Sequence, residues 1–239
     1  LDEDDAVVGY AQVAQAGGPD AVAELVVDPR HRRRGHGRAL LDEVVALGAR
    51  SVWAHGMLPA ATALAAAAGL VVTRELYVMG RPLTAEDAVD PALPQGFSVR
   101  PFEPGEEDEH WVALNAAAFA SHPEQGRLTR KEFEDLTRLP WFDPAGFFVA
   151  MHGDEVAGLH WTKQHDGGLG EVYLIAVARE HEGKGLGRAL LARGLAHLAG
   201  LGDDRVQLYV EGDEERVVRM YTNAGFEIVQ TDTAYRRER

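Results

Sequence analysis

The chain has 239 residues, of which 46% are hydrophobic, so it can fill one large core or two ordinary ones. Its formal net charge of −14 argues against a general nucleic-acid binder, because phosphate backbones reward a net basic face; a local basic pocket stays compatible with it. The absence of cysteine excludes a disulfide framework and a thiolate zinc site.

Taken in chain order, Val7–Gln15 reads as a hairpin-like start and Ala23–Val27 as an apolar strand. A glycine-rich turn around Gly35 leads into an amphipathic helix over 37–48, a short strand Ser51–Ala54, a second helix and a last strand opened by Gly69-Leu70. The alanine-rich run Ala60–Val72 falls well short of the ~20 residues a membrane span needs, so it reads as a buried helix. Leu83–Gly96, rich in acids with prolines, reads as a linker. Beyond it come a strand Phe97–Pro101, helices near 105–118 and 129–138, and a hairpin from Phe147–Met151 through His152-Gly-Asp-Glu155 to Val156–Lys163.

The remaining elements repeat the first half. Val27-Asp-Pro-Arg-His-Arg-Arg-Arg-Gly-His-Gly-Arg-Ala-Leu-Leu41 returns as Val177-Ala-Arg-Glu-His-Glu-Gly-Lys-Gly-Leu-Gly-Arg-Ala-Leu-Leu191. In the second copy the strand is Val172–Val177, the helix 187–200, the next strand Val206–Val210, and Gly225-Phe226 opens the last one. The predicted organisation is two homologous domains, 1–82 and 97–239, joined by 83–96. The first lacks a counterpart to the opening strand and helix pair of the second, and residues are expected to precede Leu1.

A strand running into x-Gly-x-Gly and then a helix is a phosphate cradle. The glycines let backbone approach the ligand, and the free N–H groups of the first helical turn carry the positive end of the helix dipole. Lys184 and Arg188, or Arg34 and Arg38, add side-chain charge. Read singly, such a loop is also a glycine-softened helix start facing solvent; the second copy in the same surroundings weakens that reading. The rhythm Gly183-Lys-Gly-Leu-Gly187 does not fit a dinucleotide fingerprint. Nor do the ten histidines fall at metal-ligand spacing, so no metal is expected.

Arg32-Arg-Arg-Gly35-His-Gly37 and Glu182-Gly-Lys-Gly185-Leu-Gly187 resemble the acetyl-CoA loop of GNAT-type N-acetyltransferases. In that family the strand before the loop splays from its neighbour and pantetheine lies in the gap. The resemblance covers nearly the whole chain twice and implies an α/β (α+β) fold. Each domain would hold a mixed, mainly antiparallel sheet with a splayed strand pair flanked by helices. Further segments resemble the tandem members that acetylate the cysteine amine of cysteinyl-glucosaminyl-inositol. These are Ala118–Gly126, His160-Trp-Thr-Lys163, Gly170-Glu-Val-Tyr173, Leu208-Tyr-Val-Glu211, Tyr221 before Gly225-Phe226, and Asp232-Thr-Ala-Tyr235.

Acetylating an amine needs a base to remove a proton held with a pKa near 8, and an acid or hydrogen-bond donor for the departing thiolate. The resemblance implies Glu171 as base and Tyr221 as acid, with a main-chain N–H near Ile175–Val177 meeting the oxyanion. It implies acetyl-CoA contacts from Ile175, Ala176, Val177, Glu182, Gly183, Lys184, Gly185, Leu186, Gly187, Arg188, Glu214 and Arg219. In the first half the matching contacts are Leu25, Val26, Val27, Arg33, Arg34, Gly35, His36, Gly37 and Arg38. The implied acceptor residues are Glu124, Lys163, Glu171 and Tyr209. Glu182 departs from the Gln or Arg usual at its position, and Glu214 from a common Asn.

Aligned at the loop glycines, Glu171 falls on Ala21; aligned at Gly225 and Gly69, Tyr221 falls on Ala65. The first half is therefore expected to bind CoA or serve structurally, with chemistry in the second. Glu24 is set aside as a substitute base, because three residues along a strand reverses the face. The expected partner is a small-molecule amine, with no nucleic acid and no membrane, and the expected state is a cytosolic monomer. Two other readings stay open: another amine acceptor, such as an aminoglycoside or a peptide N-terminus, and a non-catalytic acyl-CoA-binding module.

Overall fold

Twelve strands and six α-helices alternate along the described chain in the computed structural model, which describes residues 2–3, 6–105, 108–118, 126 and 128–238. They form two compact units. The first comprises Leu1–Val78, Val210–Arg219 and Ile228–Arg239; the second comprises Met79–Tyr209 and Met220–Glu227.

Unit 1 begins with a short two-strand ladder of β1 (Asp2–Glu3) and β2 (Ala6–Val7), then β3 (Gly9–Ala14) and β4 (Val22–Val27). Helix α1 (His36–Ala46), β5 (Ser51–Ala54), α2 (Pro59–Ala67) and β6 (Leu70–Pro82) follow. Its strand order is β3-β4-β5-β12-β6, where β12 (Glu227–Arg237) is the last strand of the chain. β3 and β4 are antiparallel, β4 and β5 parallel, and β5 and β12 antiparallel. Leu40, Leu41 and Val44 recur at helical spacing on α1, and Leu41 and Val44 close over Ala23 to form the core.

Unit 2 starts with β7 (Phe97–Pro101), α3 (Asp108–Ala118) and α4 (Arg130–Leu136). Then come β8 (Phe147–His152), β9 (Glu155–His165), β10 (Leu169–Val177), α5 (Leu186–Gly200), β11 (Arg205–Glu211) and α6 (Glu215–Asn223), of which the stretch Val210–Arg219 belongs to unit 1. The strand order is β11-β10-β9-β8-β7, all antiparallel except the β10–β11 pair. The parallel pair is possible because α5 makes the crossover. Thr129 caps α4 in a full capping box with Glu132, which fixes where that helix starts. Under α3 and α4 lies an aromatic core in which Trp161 stacks on Phe147 at 4.8 Å and Trp111 on Phe133 at 4.0 Å. β9 and β10 therefore have one side fixed by bulky rings, and α5 fixes the other through Leu186 and Leu190.

Candidate active site

Both units build the same cradle. β4 and β10 each run into a single 3-10 turn, Pro29–His31 and Arg179–His181. A loop with two left-handed residues follows each turn: Arg33 (φ 64°) and Gly35 (φ 92°) in unit 1, Gly183 (φ 74°) and Gly185 (φ 85°) in unit 2. Gly35 and Gly185, which have no side chain to cap with, stand at the N-termini of α1 and α5. At the third loop glycine the helix closes on its strand: a Cβ on Gly187 would stand 3.7 Å from Val177 Cγ2.

The strand before each cradle is opened on one side. β10 extends to Val177 and β11 to Glu211, yet their ladder ends at Val172↔Leu208. In unit 1 the β4–β5 ladder ends at Ala23↔Val52, although β4 continues to Val27. The β9–β10 register shifts between Val172 and Leu174, so Tyr173 is an extra, bulged residue. Ile175, Ala176 and Val177 thus keep β9 as a ladder partner and lose β11, which leaves one edge of β10 open there.

Glu171 lies one residue before that opening, paired with Lys163 on β9 and Gln207 on β11. It is 7% exposed. His165 Nε2 contacts its Oε2 at 2.7 Å and Gln207 Nε2 approaches the same oxygen at 3.4 Å. Tyr173 lies near enough to be affected: burial first, and then the Glu171 charge, push its phenol above the ordinary range. Tyr221, on α6, is 6% exposed, with its ring set edge-on to Phe226 at 5.7 Å. Burial pushes its phenol well up, so it stays protonated throughout the neutral range.

The other expected residues divide. Lys163 carries its ammonium 4.6 Å from the centre of the Trp141 ring and 5.8 Å from Tyr173, a cation–π cradle on the sheet face of Glu171. Tyr209 is half exposed. Glu124 lies outside the described residues. Glu182, Gly183, Lys184, Gly185 and Arg188 are all exposed around the loop, with Lys184 Nζ 3.3 Å from His181 Nδ1, while Leu186 is buried in the core. Glu214 and Arg219 are exposed in the segment that packs with unit 1, and Arg219 lies 3.8 Å from Glu215. In the first cradle Arg33, Arg34 and Gly35 are exposed, His36 and Gly37 half-buried, and Arg38 folds back onto Asp42 at 2.9 Å. On β4, Leu25 is half-buried, Val26 exposed and Val27 buried.

The strand ladders revise the comparison of the halves. Glu171 pairs with Gln207 and Val172 with Leu208, while Val22 pairs with Ser51 and Ala23 with Val52. The register equivalent of Glu171 is therefore Val22 and not Ala21, because the Tyr173 bulge adds one residue that β4 lacks. Glu24 then stands two residues on, on the same face, which reverses the reason for setting it aside. Its carboxylate is engaged: Oε1 meets His55 Nε2 at 2.9 Å and Oε2 accepts from Gln12 at 2.9 Å. His55 Nδ1 meets the buried Asp232 at 3.0 Å, and Gly56 N–H and Gln230 hold the other Asp232 oxygen. Ala65, on α2, is buried and offers no acid where unit 2 has Tyr221.

His165, Gln207, Trp141 and Tyr173 escaped the sequence reading as site residues. The hairpin turn at residues 166–168 held the signal for His165. It sets Leu169 opposite His165 and Glu171 opposite Lys163, so period-2 alternation places His165 on the Glu171 face.

With this geometry in hand, comparison with known proteins gives a consistent picture. The acetyltransferase (GNAT) family model matches residues 109–226, and an acetyltransferase (GNAT) domain model matches residues 1–74. The mycothiol acetyltransferase of Streptomyces scabiei is 49% identical over 236 residues, covering 97% of this chain and 77% of that protein. That of Kineococcus radiotolerans is 50% identical over 240 residues, covering 98% and 78%. The chain belongs to the mycothiol acetyltransferases. It is a tandem GNAT protein and an N-acetyltransferase. Solved structures agree on the fold. A GCN5-related N-acetyltransferase from Sphaerobacter thermophilus superposes with a TM-score of 0.81 at 22% identity, covering 97% of this chain and 76% of that one. A tandem GNAT protein from the clavulanic acid biosynthesis pathway does so with a TM-score of 0.71 at 21% identity, covering 98% and 80%.

Proposed function

We propose that this chain transfers the acetyl group of acetyl-CoA to a small-molecule primary amine, the cysteine amine of cysteinyl-glucosaminyl-inositol, with the chemistry in unit 2. The observation that carries the reading is Glu171, a buried carboxylate one residue before the strand pair opens. Bound acetyl-CoA supplies the thioester to be attacked. Gly183, Lys184, Gly185, Gly187 and Arg188, with the first turn of α5, would hold its phosphates, and the opened edge at Ile175, Ala176 and Val177 would flank its arm. Glu171 takes a proton from the acceptor's ammonium and so frees the nucleophilic lone pair. A main-chain N–H of the opened strand holds the developing oxyanion, and Tyr221 Oη delivers a proton to the departing sulfur. Turning an ammonium into an amide releases two protons: Glu171 takes one, and the other replaces the proton that Tyr221 gives to the thiolate. Lys163, anchored on Trp141, offers its N–H donors to acceptor oxygens.

Unit 1 acts, on this reading, as a holder of acetyl-CoA. Its loop carries Arg32, Arg33, Arg34 and Arg38 where the second carries Glu182, Gly183, Lys184 and Arg188, yet Val22 and Ala65 stand where proton transfer needs Glu171 and Tyr221. The test is CoA release with cysteinyl-glucosaminyl-inositol beside a panel of aminoglycosides and short peptides. Turnover with the first alone, lost by at least ~100-fold in Glu171→Gln, is the expected outcome. Unchanged turnover in Glu171→Gln removes the base assignment, and preference for another amine replaces the acceptor while keeping the chemistry.

A further inference from the structure

We propose that His165 is the positioning residue of the candidate base, holding one oxygen of Glu171 so that the other is presented to the acceptor amine. The inference rests on Glu171 being that base. β9 and β10 form a hairpin around residues 166–168, with Leu169 opposite His165 and Glu171 opposite Lys163. Lys163 is the direct cross-strand neighbour and the natural ion-pair partner, but its ammonium is drawn over Trp141 at 4.6 Å and Tyr173 at 5.8 Å. The carboxylate is taken instead by His165, two residues along the same face, at 2.7 Å. A carboxylate in a hydrogen bond only accepts, so Nε2 of His165 carries the hydrogen.

Both protein donors converge on one atom. His165 and Gln207 both reach Oε2, Gln207 only at 3.4 Å, and among the described residues Oε1 accepts no hydrogen bond. The last torsion of a glutamate is broad, so nothing in the covalent chain fixes which way the carboxylate plane faces. One short bond to Oε2 fixes it, and it leaves Oε1 to receive the ammonium proton. Exposure fits this division: the Glu171 side chain is 9% exposed and that of His165 31%, so the imidazole anchors the buried group from the solvent side.

The test compares three variants in steady-state turnover. Removing the donor in His165→Leu lowers kcat about 10- to 100-fold, as expected for a lost hydrogen bond to a charged group and a misaligned base, with the KM for acetyl-CoA unchanged. His165→Gln, whose amide nitrogen reaches close to the Nε2 position, returns kcat to within about threefold, whereas the shorter His165→Asn does not. Wild-type kcat in His165→Leu overturns the proposal. A Gln variant as slow as the Leu variant also overturns it, since the imidazole would then act through something other than its N–H. Should the Leu variant fail to fold, as judged by circular dichroism and thermal unfolding, the Gln–Asn pair carries the comparison. Glu171→Gln is run alongside. If it retains turnover, the base reading itself fails; if it is inactive while His165→Leu matches wild type, only this inference fails.

Discussion

At Gly194 a hydrogen stands where a methyl would lie 1.8 Å from Nε2 of His160. His160 is fully buried and gives its Nδ1 edge to the Leu174 carbonyl at 2.9 Å, directly beside the Tyr173 bulge. Burial pushes the imidazole down to about 4, so it is neutral at working pH and Nδ1 carries the hydrogen for that carbonyl. Neither the ring nor the helix can retreat from a new methyl in a core this dense. Gly194→Ala is therefore expected to cost about 2–4 kcal/mol in denaturant unfolding, despite the better helix propensity of alanine. Gly200→Ala, at the end of the same helix with nothing within 4 Å of the added methyl, is expected to be neutral or to gain about 0.5 kcal/mol. Equal effects at both positions would remove the packing argument. For Tyr221, loss of the hydroxyl in Tyr221→Phe should lower kcat by about 10- to 1000-fold while sparing stability. Because burial keeps this phenol protonated beyond its ordinary range, any loss of turnover near pH ~9 is expected to persist in the phenylalanine variant.

Scaled up to loops and strands, the two cradles differ in one instructive place. Arg33 occupies a left-handed conformation (φ 64°) that Gly183 fills in the second copy (φ 74°). An L-residue pays about 1 kcal/mol there and glycine does not. Arg33→Gly is expected to stabilise unit 1 by up to ~1 kcal/mol while weakening the acetyl-CoA binding proposed for it, and Gly183→Ala to destabilise the second loop by a similar amount. Thermal unfolding combined with acetyl-CoA titration separates the two effects; a destabilised Arg33→Gly would contradict the strain argument. The sequence made the repeated loops, the strands before them and Ser51–Ala54 plain, because glycine spacing and apolar runs are local signals. Phe97–Pro101 was equally readable, bounded as it is by Gly96 and by acids after Pro101. The Tyr173 bulge was not. A bulge is a property of two paired strands, and one inserted residue leaves no mark in either alone. That single residue moved the counterpart of Glu171 from Ala21 to Val22 and brought Glu24 onto the same face as that counterpart. The candidate site residues with motif support could be named from the sequence in the same way, whereas His165 needed the hairpin register before its 2.7 Å contact had meaning.

Considered as a whole molecule, the chain closes unit 1 with its last strand. β12 takes its place between β5 and β6, with Thr233, Ala234 and Tyr235 opposite Ala54, Trp53 and Val52. A chain ending before Asp232 is thus expected to lose the sheet of unit 1 and not merely a tail. Asp232 also completes a three-strand tie with His55 of the turn after β5 and Glu24 of β4. The bonds to Asp232 and then Glu24 raise His55 above its ordinary 6.5. Glu24 is lowered chiefly by His55, and at Asp232 the bonds from His55, Gly56 and Gln230 outweigh a burial effect of opposite sign. The signs fix the window. A raised imidazole contributes stability that is complete below about 6.5 and is lost as pH climbs through its folded value. The lowered carboxylates contribute above their unfolded values near 4 and lose it as pH falls through their folded ones. The tie is strongest between those limits. His55→Gln should therefore melt ~1–3 °C below wild type at about pH 5.5, a small effect because the imidazole is largely solvent-exposed. At about pH 9 the difference should shrink, since the raised imidazole loses its contribution as pH climbs through its folded value. Comparing variant with wild type cancels the opposite trend from His160, which is buried neutral and loses stability on acidification. A gap that is the same at both pH values would mean that the ring packs there without its charge.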